Sequence, residues 1–196
     1  MQIKHSTIEE VLEALRQGKP VLVTDAEDRE NEGDAIIAAE FATPEWLAWM
    51  IRYTSGYICA PMTEARANDL DLPLMYVNTQ DPHHTAYTVS VDAMERESTG
   101  ISAYDRALTG RVLADPKSSA GSLMRPGHVV PLRAKDGGVL ERPGHTEAAV
   151  DLMKLAGLEP VAMMAEMVND DGTMMRGEEL FETSLRFDLP MTSISQ

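Results

Sequence analysis

The sequence predicts an α+β fold: one domain, residues 1–196, with a mixed β-sheet covered by helices in three layers. Three observations predict it. Some segments carry apolar residues at helical spacing, while others alternate or run continuously apolar, so helices and strands are both present. The two types are intermingled irregularly, without the steady strand–helix–strand rhythm of a doubly wound sheet. Hydrophobic residues make up 43% of the chain and aromatics only 5%, so the core must be built from aliphatic side chains and 13 methionines.

The elements follow in order. Ser6 and Glu9 have capping-box spacing, and Ile8, Val11, Leu12 and Leu15 recur helically until Gly18, which predicts a helix over 7–17. Residues 20–24 and 35–39 read as buried strands separated by a strongly polar stretch. Thr43-Pro44 opens a helix through about Tyr53, residues 57–60 form a short strand, and Thr63 starts another helix. From Thr85 to Asp92, Tyr87, Val89 and Val91 alternate with polar residues, the period of a half-buried strand. Ser102 caps a helix to about Leu108, and residues 110–127, rich in Gly, Ser and Pro, read as a long loop. A strand resumes over 128–133, restricted by Pro131 to an edge or a bulge. A helix runs from about His145 to Gly157, and a strand from Val161 to Val168. Asn169-Asp170-Asp171-Gly172 turns the chain into one more helix and a final short strand.

The chain carries 32 acidic against 17 basic residues, a net charge of −15. That charge argues against nucleic-acid binding, which needs a basic surface. Cys59 is the single cysteine, so no intrachain disulfide and no cysteine zinc cage can form, and a reducing, cytoplasmic setting is expected. No stretch approaches the ~20 apolar residues of a bilayer span, and residues 1–5 lack the apolar core of a signal peptide. No membrane partner is expected.

Chemistry concentrates in two stretches. Asp25-Ala26-Glu27-Asp28-Arg29-Glu30-Asn31-Glu32-Gly33-Asp34 holds six acids and one arginine between two apolar strands. Crowded carboxylates raise one another's pKa and are relieved by a cation or a shared proton. An EF-hand register fails, because it puts Ala39 where a bidentate Glu is required. Oxygen-rich ligands suit Mg²⁺ or Mn²⁺ in an open site. The second stretch, Glu141-Arg142-Pro143-Gly144-His145-Thr146-Glu147, leads into an amphipathic helix. A helix N-terminus beside an arginine is a phosphate site in outline; the bland alternative is a simple cap with Arg142 paired to an acid. His128 and His145 stand at element edges that face a cleft, whereas His5 is an incidental residue of the N-terminal tail and His83 and His84, in a polar turn, are expected at the surface. Glu166 lies inside a predicted strand, either solvent-facing or partly buried with a raised pKa. Cys59 alone is more typical of a small buried residue than of a nucleophile. No GxSxG, P-loop or GxGxxG sequence is present.

Asp28-Arg29-Glu30-Asn31-Glu32-Gly33-Asp34, residues 99–106, Arg125-Pro126-Gly127-His128-Val129, Gly144-His145-Thr146-Glu147-Ala148 and Asn169-Asp170-Asp171-Gly172 closely resemble, in order and spacing, the 3,4-dihydroxy-2-butanone 4-phosphate synthases of riboflavin biosynthesis. The likeness runs from about residue 6 to the C-terminus. It implies a lyase that converts D-ribulose 5-phosphate to formate and L-3,4-dihydroxybutan-2-one 4-phosphate with Mg²⁺ or Mn²⁺, two ions per site. It also implies a homodimer with active sites at the interface. Carried over by motif, Glu30 and His145 would be metal ligands. Arg29, Glu30, Asp34, Arg142, Gly144, His145, Thr146 and Glu166 would bind substrate, with Ser98 and Thr99 in a polar loop beside it. His128 and Glu166 match essential catalytic positions, and Glu32, Asp34 and Cys59 further active-site positions. Pro143 stands where glycine is common, and Glu95-Arg96-Glu97-Ser98 replaces a smaller, Gly/Thr-rich segment. Two rival classes share part of the pattern: another metal-dependent sugar-phosphate isomerase or aldolase, and a non-enzymatic acidic metal-binding domain.

Overall fold

A computed structural model describes residues 4–196. Its elements are α1 (Ile8–Arg16), β1 (Val21–Thr24), β2 (Gly33–Ala38), α2 (Pro44–Tyr53), β3 (Cys59–Thr63), α3 (Glu64–Asp69), β4 (Val91–Ala93), α4 (Ala103–Ala114), β5 (Leu123–Ala134), α5 (His145–Ala156), β6 (Ala162–Glu166), α6 (Gly177–Phe187) and β7 (Met191–Ser193). The seven strands form one sheet in the order β4-β5-β3-β6-β2-β1-β7. The pairs β3/β5 and β1/β7 are parallel and the others antiparallel, so the sheet is mixed as expected.

Side-chain alternation divides the core into two layers. Ala35, Ile37, Ala60, Met62, Met163 and Ala165 pack with α2, α3, α4 and α6 on one face. Ile36, Ala38, Cys59, Val130, Ala162 and Met164 pack with α1 and α5 on the other. Burial on both faces makes these strands near-continuously apolar, and the helix–sheet–helix arrangement is three-layered.

Several elements differ from the sequence reading. The capping box of α1 is one residue later: the Thr7 hydroxyl accepts from Glu10 N–H (3.3 Å), and the Glu10 carboxylate accepts from Thr7 N–H (2.8 Å). Ser6 is engaged elsewhere, donating its N–H to the Met191 carbonyl (2.8 Å). Helix α4 continues past Leu108 to Ala114, because the Thr109 hydroxyl bonds Asp105 O and accepts Ala93 N–H, both at 2.9 Å, and Leu113 and Ala114 are buried. Gly110 does not break the helix; a Cβ there would sit 2.8 Å from Met163 Sδ, so the glycine lets α4 lie close on the sheet. The predicted long loop therefore shrinks to residues 115–122, with β5 beginning at Leu123.

Strand β5 is second in the sheet, not an edge, and Pro131 is tolerated because regular β4 pairing ends at Val129. Beyond it β5 is flanked on that side by an isolated bridge from Tyr87 to Leu132 and by the hydrogen bonds Thr88 N–H to Pro131 O (3.0 Å) and Arg133 N–H to Ala86 O (3.1 Å). The half-buried strand expected over 85–92 is laddered only at Val91–Ala93. Opposite it, Val91 pairs with Val129 and Asp92 with Met124, so residues 125–128 bulge from the ladder.

Candidate active site

The register carries the chemistry-bearing side chains to one end of the sheet. Asp34 on β2 is opposite Glu166 on β6, while Cys59 on β3 is opposite both Met164 on β6 and Val130 on β5. Asp34, Glu166 and Cys59 share parity with Ile36, Met164 and Val130, so they belong to the face that α5 covers. His145 heads α5, and the β4–β5 bulge brings His128 to the same end.

The loop from Asp25 to Glu32 is folded by its first acid. Asp25 Oδ2 accepts from Arg29 Nη1 (2.9 Å) and Glu30 N–H (3.0 Å), and Oδ1 from Glu32 N–H (2.9 Å). Burial opposes ionisation of Asp25, but these donors outweigh it and hold the carboxyl below its ordinary pKa. The loop then presents Glu30 to His145. His145 donates Nε2–H to the Val23 carbonyl (3.2 Å), which leaves Nδ1 with its lone pair 3.8 Å from Glu30 Oε2 and 3.8 Å from Asp34 Oδ1. Ligand atoms of Asp25, Glu30 and His145 lie within 4.8 Å of one another.

Asp34 Oδ1 is buried with no hydrogen-bond partner. An orphaned carboxylate oxygen facing an imidazole lone pair and a second carboxylate is a donor set that a hard divalent cation would complete. Without a cation, burial pushes Asp34 up to about 7; a protonated His145 is the strongest single charge acting on it and opposes the shift, while the Glu166, Glu30 and Glu32 charges add to it. Glu32 is also raised, by burial and by Glu30, although Arg176 lies 3.5 Å away. Glu166 is held by Ser55, whose hydroxyl donates to Oε2 (2.6 Å) and whose N–H donates to the backbone carbonyl (2.7 Å). Burial and the Glu166 charge raise the Cys59 thiol well above its usual range, so it stays protonated and is a poor nucleophile.

The start of α5 carries the opposite charge. Its N-cap is Gly144, which supplies no side-chain cap, so the first-turn N–H groups are left to other partners. A Cβ on Gly144 would sit 2.8 Å from Arg142 Nη1 and 3.0 Å from Arg29 Nη2, so both guanidinium groups converge on this backbone. Arg142 is braced by Glu147 (2.5 Å), Thr85 Oγ1 (3.0 Å) and the His83 carbonyl (3.0 Å). It does pair with an acid, but a buried one, and remains beside the helix start.

His128 is clamped by Asp92. The carboxylate accepts the His128 N–H and Nδ1–H, each at 2.8 Å, which leaves Nε2 as the exchangeable ring nitrogen. Gly100 packs onto Asp92, where any Cβ would collide with the carboxylate, and the Ser98 hydroxyl donates to Asp105. The 98–100 loop thus touches the group that holds His128.

The profile of the family described as 3,4-dihydroxy-2-butanone 4-phosphate synthase matches residues 9–196. The chain belongs to this family. It is 58% identical over 189 residues to the riboflavin biosynthesis protein RibBA of Salinispora arenicola (strain CNS-205), covering 96% of this chain and 45% of that protein. To RibBA of Nocardia farcinica (strain IFM 10152) it is 59% identical over 194 residues, 98% of this chain and 47% of the relative. The chain therefore spans about half the length of the curated relatives it matches. A crystal structure of a 3,4-dihydroxy-2-butanone 4-phosphate synthase in complex with two magnesium ions superposes with a TM-score of 0.95 at 47% identity, covering 97% of this chain and 94% of that one. The α+β fold with its mixed seven-stranded sheet is that of the synthase family.

Of the residues singled out in the sequence, the structure gathers Arg29, Glu30, Glu32, Asp34, Cys59, Arg142, Gly144, His145, Thr146 and Glu166 at this end of the sheet. His128 joins through the bulge, while Ser98 is tied to Asp105. Three contributors were not found from sequence. Asp25 read only as one acid in a charged run, and Asp92 as an outward polar position of an alternating strand. His83, expected at the surface, has Nε2 3.8 Å from Glu30 Oε1. A carboxylate preceding several glycine-free loop N–H groups was the available signal for Asp25; for Asp92 there was none short of the bulge.

Proposed function

We propose that this chain converts D-ribulose 5-phosphate to L-3,4-dihydroxybutan-2-one 4-phosphate and formate. The observation that carries the reading is the meeting, at one sheet end, of the Asp25–Glu30–His145 donor cluster with two guanidinium groups over the start of α5. Glu30 and His145, with Asp34 or Asp25 beside them, would hold Mg²⁺ or Mn²⁺, two ions per site. Arg29, Arg142, Gly144 and Thr146 would take the phosphate. A bound divalent cation neutralises negative charge that develops on adjacent sugar oxygens.

The chain's own groups move the protons. Enolisation needs a base beside the proton it removes, and Asp34 and Glu32, both next to the donor cluster, are the carboxylates that would take it. His128, with Nε2 free and Nδ1 fixed by Asp92, and Glu166, oriented by Ser55, serve the dehydration, skeletal migration and hydrolytic cleavage that follow. Atoms balance, because the water lost in dehydration is regained in cleavage. Buried Cys59 packs beneath these groups as a neutral thiol, and Ser98 and Thr99 belong to a loop that supports Asp92.

The site is completed by a second copy of the chain. Tyr57, Ile101 and Tyr104 are 41–52% exposed, large apolar side chains of the kind that a homodimer interface would cover. The setting is cytoplasmic, with no nucleic-acid or membrane partner; among the described residues no helix is long and apolar enough to cross a membrane. Incubation with ribulose 5-phosphate and Mg²⁺ is expected to release one formate per substrate consumed. Consumption without formate would point instead to an isomerase or aldolase.

A further inference from the structure

His83 belongs to a loop that Asp81 folds tightly. Asp81 Oδ1 accepts His83 N–H (3.2 Å), Oδ2 accepts Thr85 N–H (2.7 Å), and the Asp81 carbonyl accepts His84 N–H (3.0 Å). The same turn is bolted to the start of α5, because Arg142 donates to the His83 carbonyl and to the Thr85 hydroxyl, each at 3.0 Å. The imidazole is therefore placed by the arginine at the helix start. Its Nε2 lies 3.8 Å from Glu30 Oε1, too far for a hydrogen bond, while Arg29 Nη1 is 3.0 Å from that same oxygen. The ring is 38% exposed and faces the oxygen that Arg29 holds.

We propose that His83 is a further substrate-binding residue, donating Nε2–H to the phosphate group that Arg29, Arg142 and the start of α5 surround. A phosphoryl group held by two guanidinium groups and a helix N-terminus would still accept one more donor, and the Asp81 turn is the neighbouring segment that can supply it. His83 offers a neutral or cationic donor, in place of the backbone N–H that Pro143 lacks. It also separates the phosphate from Glu30, whose Oε2 faces His145. The inference rests on the reading of this end of α5 as the phosphate site.

The test uses the full chain with Mg²⁺, ribulose 5-phosphate as substrate and inorganic phosphate as competitor. His83→Ala is expected to raise the phosphate inhibition constant and KM about tenfold, a loss of about 1.4 kcal/mol. KM should rise more than kcat falls, with calorimetric Mg²⁺ affinity unchanged. His83→Gln, which restores a donor, should recover part of the loss. Arg142→Lys keeps a charge for Glu147 but loses the planar fork, and serves as the reference. If Arg142→Lys weakens phosphate inhibition and His83→Ala does not, the role of His83 is overturned. If neither does, the phosphate site itself is misplaced and the inference falls with it. A drop in Mg²⁺ affinity in His83→Ala, with phosphate inhibition unchanged, would make His83 a metal-site residue and overturn the proposal equally.

Discussion

His128 has one ring nitrogen free for chemistry because Asp92 takes the other. Replacing Asp92 with Asn keeps the size but removes the charge that favours Nδ1–H, so the wrong tautomer becomes available. We expect Asp92→Asn to lower kcat by about 10², with KM changed little, as steady-state formate assays will show. Asp34 makes a different prediction, in stability. In the metal-free protein its carboxyl is raised from 3.8 to about 7, so the unfolded chain ionises first as pH rises. The stability it contributes is complete below the lower value and is lost as pH climbs through the upper one. Denaturant unfolding in chelator should show wild type losing up to about 4 kcal/mol more than Asp34→Asn across that window, and an equal slope in both proteins would refute the buried, repelled carboxyl. Asp25, Asp92 and His83 were not readable from the sequence, because their roles arise from what the fold sets against them: three loop donors, a bulged histidine and a carboxylate from another loop.

The elements matter by where they end. The apolar strands and capped helices were legible, since Thr43-Pro44, Thr63 and Ser102 each cap the helix they were expected to cap. The extension of α4 and the length of β5 were not, because tertiary packing against Met163 and pairing with β3 override Gly110 and Pro131. The bulge between β4 and β5 depends on Gly127, where a Cβ would fall onto the backbone of Val91 and Asp92. Backbone cannot yield as a side-chain tip can. Gly127→Ala should therefore destabilise the protein by about 2–4 kcal/mol, read as a lower thermal midpoint, and should also impair kcat by displacing His128. At the start of α5, Gly144→Ala would push against both guanidinium groups, and we expect it to raise KM while leaving thermal stability within about 1 kcal/mol of wild type.

Across the molecule, the net charge of −15 is unevenly distributed: residues 25–34 hold −5 of it at the sheet end where a cation and a sugar phosphate are proposed to meet. Arg29, Arg142 and the α5 dipole offset that field locally. The exposed Tyr57, Ile101 and Tyr104 lead us to expect a particle of twice the 21.5 kDa chain mass in sedimentation equilibrium. The fold class and most site residues were visible in sequence because the acidic loop and the α5 motif are contiguous; the end of the sheet that unites them is a matter of strand register. The central claim is a metal-dependent, formate-releasing centre built on Glu30 and His145. The direct measurement is formate release from ribulose 5-phosphate by metal-stripped protein as Mg²⁺ is added back, for wild type and His145→Ala. We expect saturable recovery in wild type and almost none in the variant; formate release that needs no added metal, or that survives intact in His145→Ala, would contradict it.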